Sequence, residues 1–213
     1  MADVQEELLA ILKRVGAVIA DSHFVGTSGR HMALYVNKDA LYPHTAETSR
    51  VGEMFAGTAR DLAVDIVVGP ALGGIILSQW TAWHLSRLTG REVLSVYTEK
   101  DAGEDQVFRR GYRALVAGRN VLAVEDVTTT GGSVKKVVDT VRNAGGTVVK
   151  AAVMVNRDTA AVNTASVGAP FDWLAALPLD SFAEEDCPFC AAGVPVDTSV
   201  GHGRQFLERK GRA

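Results

Sequence analysis

Four short apolar runs constrain this chain more than any other feature: VDIVVG (64–69), VLSVYT (93–98), VLAVE (121–125) and TVVKAAVMV (147–155), with Lys150 interrupting the last. A strand with one face in water alternates apolar and polar residues. Runs like these belong to strands covered on both faces, as in a parallel sheet. Helical stretches at 74–88 and 132–144 fall between them. Strand and helix in alternation point to an α/β fold, a central, mostly parallel sheet flanked by helices and joined by right-handed crossovers. Ligands in such sheets bind beyond the carboxyl ends of the strands.

The N-terminal part is different. Apolar residues at Val4, Leu8, Ile11, Leu12, Val15, Val18 and Ile19 predict one helical face over 4–20. HFVGTSGRHMALYVN (23–37) reads as a hairpin or an irregular pair of strands around Ser28-Gly29. Pro43 is placed to open a second helix carrying Val51, Met54, Phe55 and Leu62. No repeat or low-complexity linker divides the 213 residues, so a single domain is expected. The net charge of −3 gives no basic footprint for nucleic acid, and no apolar run reaches the roughly 18 residues of a membrane span. Acids stand where a signal peptide has a basic leader, so a cytoplasmic protein is expected.

The stretch VLAVEDVTTTGGS (121–133) carries the chemistry. A buried strand ends in Glu125 and Asp126, then turns through Thr128, Thr129, Thr130, Gly131, Gly132 and Ser133 into a helix. Backbone N–H groups and hydroxyls at a helix N-terminus converge on an anion, and glycines let a phosphate approach. The spacing is neither GxxxxGK[ST] nor GxGxxG. Carboxylates repel phosphate but accept hydrogen bonds from sugar hydroxyls. Phosphate and ribose hydroxyls together describe a ribose 5-phosphate. The plainer alternative is a capped strand-to-helix turn with exposed acids.

This stretch resembles the phosphoribosyl pyrophosphate (PRPP) motif of type I phosphoribosyltransferases. HFVGTSGRHMALYVN resembles the N-terminal substrate segment of the orotate enzymes, VVGPALGGIILS (67–78) their pyrophosphate loop, and VMVNRDTAA (153–161) the segment with an orotate-binding arginine. The resemblance covers roughly residues 20–160. It implies a type I phosphoribosyltransferase fold with a small hood built from 1–42 and part of the C-terminus, and a C-terminal extension over 180–213. It implies orotate and PRPP as substrates, orotidine 5′-monophosphate and pyrophosphate as products, magnesium as cofactor, and a homodimer. Glu125 and Asp126 would hold the ribose hydroxyls and stabilise a ribosyl cation. The turn 128–133 would hold the 5-phosphate, and Gly69–Gly74, with Gly73 and Gly74, the pyrophosphate. Arg157 would pair with the orotate carboxylate. Tyr35 would pack on the base. The alternatives are a phosphoribosyltransferase for a purine base and a non-catalytic PRPP-binding regulator.

Two segments depart from the common family pattern. In EKDAGEDQVFRRGYRA (99–114), Lys100 matches a PRPP-binding lysine. A second lysine and a histidine are absent, and Arg109 and Arg110 are the nearest cations. The segment is similar to a short-loop EKD subset that also carries a C-terminal CPxC. Its charges and sparse apolar anchors predict a gating loop over 99–108. Thr27 stands where many relatives have a basic residue, with Arg30 and Lys38 as nearby cations. Cys187 and Cys190 form a CxxC, readable as a structural turn, half a zinc site with His202 as a third ligand, or a redox pair.

Overall fold

The computed structural model describes residues 2–26, 28–178 and 180–211. Its strands are β1 (Val18–Ile19), β2 (Phe24–Val25), β3 (His31–Met32), β4 (Tyr35–Val36), β5 (Ile66–Pro70), β6 (Leu94–Lys100), β7 (Gln106–Val107), β8 (Asn120–Thr128), β9 (Thr147–Asn156) and β10 (Phe171–Ala176). Its helices are α1 (Ala2–Arg14), α2 (Thr45–Ala59), α3 (Gly73–Thr89), α4 (Tyr112–Val116), α5 (Gly132–Asn143), α6 (Thr164–Val167), α7 (Pro188–Ala191) and α8 (Gly203–Arg209). Six strands form one sheet in the order β10-β9-β8-β5-β6-β7. Every pairing is parallel except β6 with β7.

Alternate residues of the central strands feed two separate cores, which is why those strands read as unbroken apolar runs. Leu122, Val124, Ala152 and Met154 join Leu8 and Leu12 of α1, Phe55 of α2 and Leu77 of α3. Val121, Ala123, Ala151 and Val153 join Val134, Val137, Val138 and Val141 of α5. Successive strand side chains point to opposite faces, so both layers are served by one strand. Each fully buried Val or Leu contributes roughly 1.5–3 kcal/mol. Helix α1 also reaches the far edge of the sheet, where Gln5 accepts a hydrogen bond from Ala176 N at 3.0 Å.

Three details differ from the sequence reading. The helix expected over 4–20 stops at Arg14. Gly16 then takes φ +71°, and Val18–Ile19 pairs antiparallel with β4. Periodicity alone carried across that break because the strand residues are apolar too. Pro43 precedes α2 by two residues rather than opening it, and His44 is the N-cap. Strand β10 was not foreseen; it lies at the sheet edge, with Phe171, Asp172 and Trp173 only half-buried.

The hairpin expected within 23–37 is formed by β2 and β3. The C-terminal segment runs along it: His31 exchanges backbone hydrogen bonds with Phe182, both at 2.9 Å, and Asp197 N donates to His23 O at 2.8 Å. No helix among the described residues is long and apolar enough to cross a membrane.

Candidate active site

A cavity of about 1060 Å³ opens at the carboxyl ends of β5, β6, β8 and β9. Its walls bring together the acids Glu125 and Asp126, the turn residues Thr128, Thr129, Thr130, Gly132 and Ser133, and Arg157, Tyr35 and Lys100. Residues spread over more than 120 positions therefore share one cleft, placed there because β8 and β9 are neighbours at the middle of the sheet.

The two acids are buried and differ in environment. Asp126 Oδ2 accepts from Lys38 Nζ at 2.8 Å and from Tyr42 Oη at 3.0 Å, and its Oδ1 accepts from Val127 N at 2.7 Å. Glu125 accepts from Asp126 N at 3.0 Å. Burial first, and the neighbouring Asp126 charge second, push the Glu125 carboxyl well above the usual carboxylate range. Burial alone would lower the Lys38 ammonium; the charge and hydrogen bond of Asp126 outweigh it and raise it. Burial and then the Asp126 charge raise the Tyr42 phenol, keeping it a donor. The cleft thus holds one anchored carboxylate beside one that ionises reluctantly until a cation or donor arrives.

The turn after β8 is shaped from within. Thr128 Oγ1 accepts from Gly131 N at 3.0 Å, so this hydroxyl forms the turn as well as lining the cleft. Gly131 is the N-cap of α5 at φ +78°, a left-handed conformation that costs glycine little. It lies behind the cleft surface that Thr129, Thr130, Gly132 and Ser133 present. The first turn of α5 points its N–H groups at that surface, an arrangement suited to a phosphate.

Arg157 follows directly on the last residue of β9, with its N–H bonded to Thr128 O at 2.9 Å. Its Nη2 approaches Met32 Sδ at 2.8 Å, and its buried Nε has no hydrogen-bond partner. Among the described residues no carboxylate pairs with it. Burial holds the guanidinium below its ordinary pKa. Arg157 is half-buried, with its Nε fully buried, and a cation whose best protein contact is a thioether is suited to receiving an anion. Tyr35 and Met32 flank it on the hood side of the cavity.

The remaining expected residues fall into two groups. Gly73 and Gly74 start α3 behind the acids. A Cβ on Gly73 would run into Asp126 Oδ2 and Tyr42 Oη, so the glycine makes room for the acid and its donor. Pro70 and Ala71 are the loop residues at the cavity wall, and the Ala71 N–H is already bonded to Thr98 O at 2.8 Å. Lys100 reaches the cavity but pairs with Glu104 at 2.5 Å. Arg109 and Arg110 do not line the cavity; both turn to Glu99, and Arg110 stacks on Tyr97. A basic residue next to an acid on its own hairpin is drawn to it. The sparsely anchored segment 99–108 is a short hairpin held by polar bonds: Asp101 caps Gly103 and Asp105, and Lys136 binds Glu104 O and Asp105. Thr27 lies outside the described residues. Of the cations near it, Lys38 serves Asp126 and Arg30 binds Ser181.

Sequence reasoning missed Tyr42 and the role of Lys38, for which no linear signal exists. It also missed Gln106, whose buried Oε1 is unpartnered at the cavity wall. Cys187 and Cys190 lie away from the cleft, beside His23 and His31 rather than His202.

Comparison with known proteins agrees with this geometry. The family model described as a phosphoribosyl transferase domain matches residues 37–166. The orotate phosphoribosyltransferase of Pelotomaculum thermopropionicum is 37% identical over 192 residues, covering 90% of this chain and 95% of that one. That of Thermotoga maritima is 35% identical over 193 residues, covering 91% and 97%. The crystal structure of Mycobacterium tuberculosis orotate phosphoribosyltransferase in complex with Fe(III) dicitrate is similar at a TM-score of 0.65 and 25% identity, covering 82% of this chain and 97% of that one.

Proposed function

The chain belongs to the orotate phosphoribosyltransferase family, and from that premise we propose that it joins orotate to PRPP, giving orotidine 5′-monophosphate and pyrophosphate in pyrimidine biosynthesis. Orotate N1 loses its proton and forms the bond to the anomeric carbon as the bond to pyrophosphate breaks, and the departing pyrophosphate oxygens take up that proton.

The observation that carries the choice of base is Arg157. Its half-buried guanidinium, with Nε unpartnered, lacks a carboxylate, and orotate brings one in a plane that matches the guanidinium fork. A purine offers no such group. Thr129, Thr130, Gly132 and Ser133, with the α5 N-terminus, are the binding surface for the 5-phosphate. Asp126, oriented by Lys38 and Tyr42, faces the ribose with Glu125 and stabilises positive charge developing on the sugar. The residues do not use a protein nucleophile; positioning and charge do the work.

Magnesium suits this cleft as an ion carried by substrate oxygens. Two adjacent acids, one of them held by Lys38 and Tyr42, do not make an all-protein cage, and this hard ion readily keeps water and phosphate ligands. When bound it would neutralise the pyrophosphate charge, with Glu125 and Asp126 at the sugar side. We further propose that the protein acts in the cytoplasm as a homodimer. Exposed Trp83 and Leu88 near the C-terminal end of α3 support a covered surface there.

The test is nucleotide formation from PRPP and magnesium with each of orotate, uracil, adenine, guanine, hypoxanthine and xanthine. Product from orotate alone is expected. Product from a purine would overturn the assignment of the base.

A further inference from the structure

Outside the cleft, four side chains with metal-binding atoms meet in the hood. His23 from β2 and His31 from β3 face Cys187 and Cys190 of the CPFC turn, and their four candidate donor atoms all lie within 4.8 Å of one another. His23, His31 and Cys187 are buried; Cys190 is half-buried. The cysteines are not bonded to each other.

From these positions we infer that the chain carries a four-ligand zinc site, formed by His23 Nε2, His31 Nδ1, Cys187 Sγ and Cys190 Sγ. It is separate from the reaction at the cleft and does not rest on the base assignment. The distances suit a tetrahedral ion. Cys187 Sγ is 3.6 Å and Cys190 Sγ 3.9 Å from His23 Nε2, and Cys190 Sγ is 3.4 Å from His31 Nδ1. Zinc with bonds of about 2.3 Å to sulfur and 2.0–2.1 Å to nitrogen sets a sulfur–nitrogen edge of about 3.6 Å. The two nitrogens stand 2.7 Å apart, short of the roughly 3.3 Å edge between two zinc-bound imidazoles, so the rings part slightly to admit the ion.

The surroundings fix the ligand atoms. His23 Nδ1 lies 2.9 Å from Val194 O, which makes it the N–H donor and turns the lone pair of Nε2 inward. His31 Nε2 has no hydrogen-bond partner, and its ring stands edge-on to Phe206 of α8. With Nδ1 on a metal, that nitrogen is an N–H beside an aromatic ring rather than a buried bare acceptor. Two thiolates and two neutral imidazoles cancel the charge of a divalent ion, so the complex is neutral where it is buried. Two sulfurs and two nitrogens select zinc over the hard cations. All four positions are protein groups, as in a structural rather than a catalytic centre.

The site ties together pieces far apart in sequence. The hairpin it grips also carries Met32 against Arg157 and Arg30 against Ser181. Its ligands come from both ends of the chain, so the ion would fasten the C-terminal segment to the substrate-facing hood.

The test is the metal content of untagged protein purified without chelator, followed by cobalt(II) replacement. One zinc per chain is expected. Cobalt should give a thiolate charge-transfer band in the near ultraviolet and intense ligand-field bands in the red, the signature of a four-coordinate ion with sulfur ligands. Cys190→Ser and His31→Gln should each weaken zinc retention and alter the cobalt spectrum. Wild-type protein that binds neither ion, a pale octahedral cobalt spectrum, or a Cys187–Cys190 disulfide in freshly isolated protein would each overturn the site. The wild-type spectrum decides the matter even where a variant fails to fold.

Discussion

Lys38 Nζ sits 2.8 Å from Asp126 Oδ2, an ion pair that reaches from the segment after β4 to the acidic end of β8. Asp126 is almost wholly buried, while Lys38 keeps part of its side chain in water. The pair therefore sets the carboxylate's orientation before substrate arrives. Asp126→Asn should lower kcat by about 10²–10³-fold while leaving the fold intact. Lys38→Met should give a smaller loss in the same direction. Steady-state kinetics with circular dichroism as a control would check both, and wild-type turnover in the Asn variant would remove Asp126 from the ribose site.

Arg157 separates stability from function. It is half-buried, with Nε fully out of water and no carboxylate beside it, so Arg157→Met should leave stability unchanged or raise it by roughly 1 kcal/mol, about 2–4 °C in Tm. The same variant should raise KM for orotate far more than KM for PRPP. Equal effects on the two substrates would mean that Arg157 does not read the base.

Glu125 makes stability depend on pH in a definite direction. Its carboxyl is held well above its ordinary 4.5 in the folded chain, so between those two values the folded state binds more protons than the unfolded one. Folding stability is therefore fully supported below about pH 4.5 by this group and is lost as pH rises toward the folded value. Glu125→Gln should abolish that loss. Its Tm should exceed that of the wild type by a margin that grows as pH rises above about 4.5 toward the folded value. A margin that shrinks with pH would contradict the burial argument.

Gly73→Ala places a methyl group on Asp126 Oδ2 and Tyr42 Oη. Asp126 is buried and Tyr42 half-buried, and their mutual hydrogen bond keeps both from retreating freely, so a cost of about 1–3 kcal/mol is expected. The urea midpoint should fall, and activity should fall further than stability because the displaced atom belongs to Asp126. Unchanged activity would show that Asp126 tolerates the shift.

The sheet was legible because its physics is local: strands covered on both faces must be apolar throughout, and Val121–Val124 and Ala151–Val155 are. The turn at 128–133 was legible for a similar reason, since hydroxyls and glycines at a strand end have few uses. Strand β10 was not, because an edge strand tolerates Asp172 between Phe171 and Trp173. Lys38 and Tyr42 were hidden by distance, lying 88 and 84 residues from the acid they hold. The partners of Cys187 were hidden in the same way: His23 is 164 residues away, and a single CxxC reads the same with or without it. His202, closer in sequence, instead stands at the N-cap position of α8, where only its backbone oxygen takes part in the helix, accepting from Phe206 N.

The bond from Gln5 to Ala176 spans 171 residues, nearly the whole sheet-forming chain. Helix α1 thus leaves the ribosome before any strand of the sheet, yet docks against β10, the last of those strands to be made. Until then Leu8, Ile11 and Leu12 lack their full cover, and the newborn chain carries an unfinished apolar surface through most of its synthesis. Its vulnerability to aggregation is greatest during translation and ends when β10 emerges.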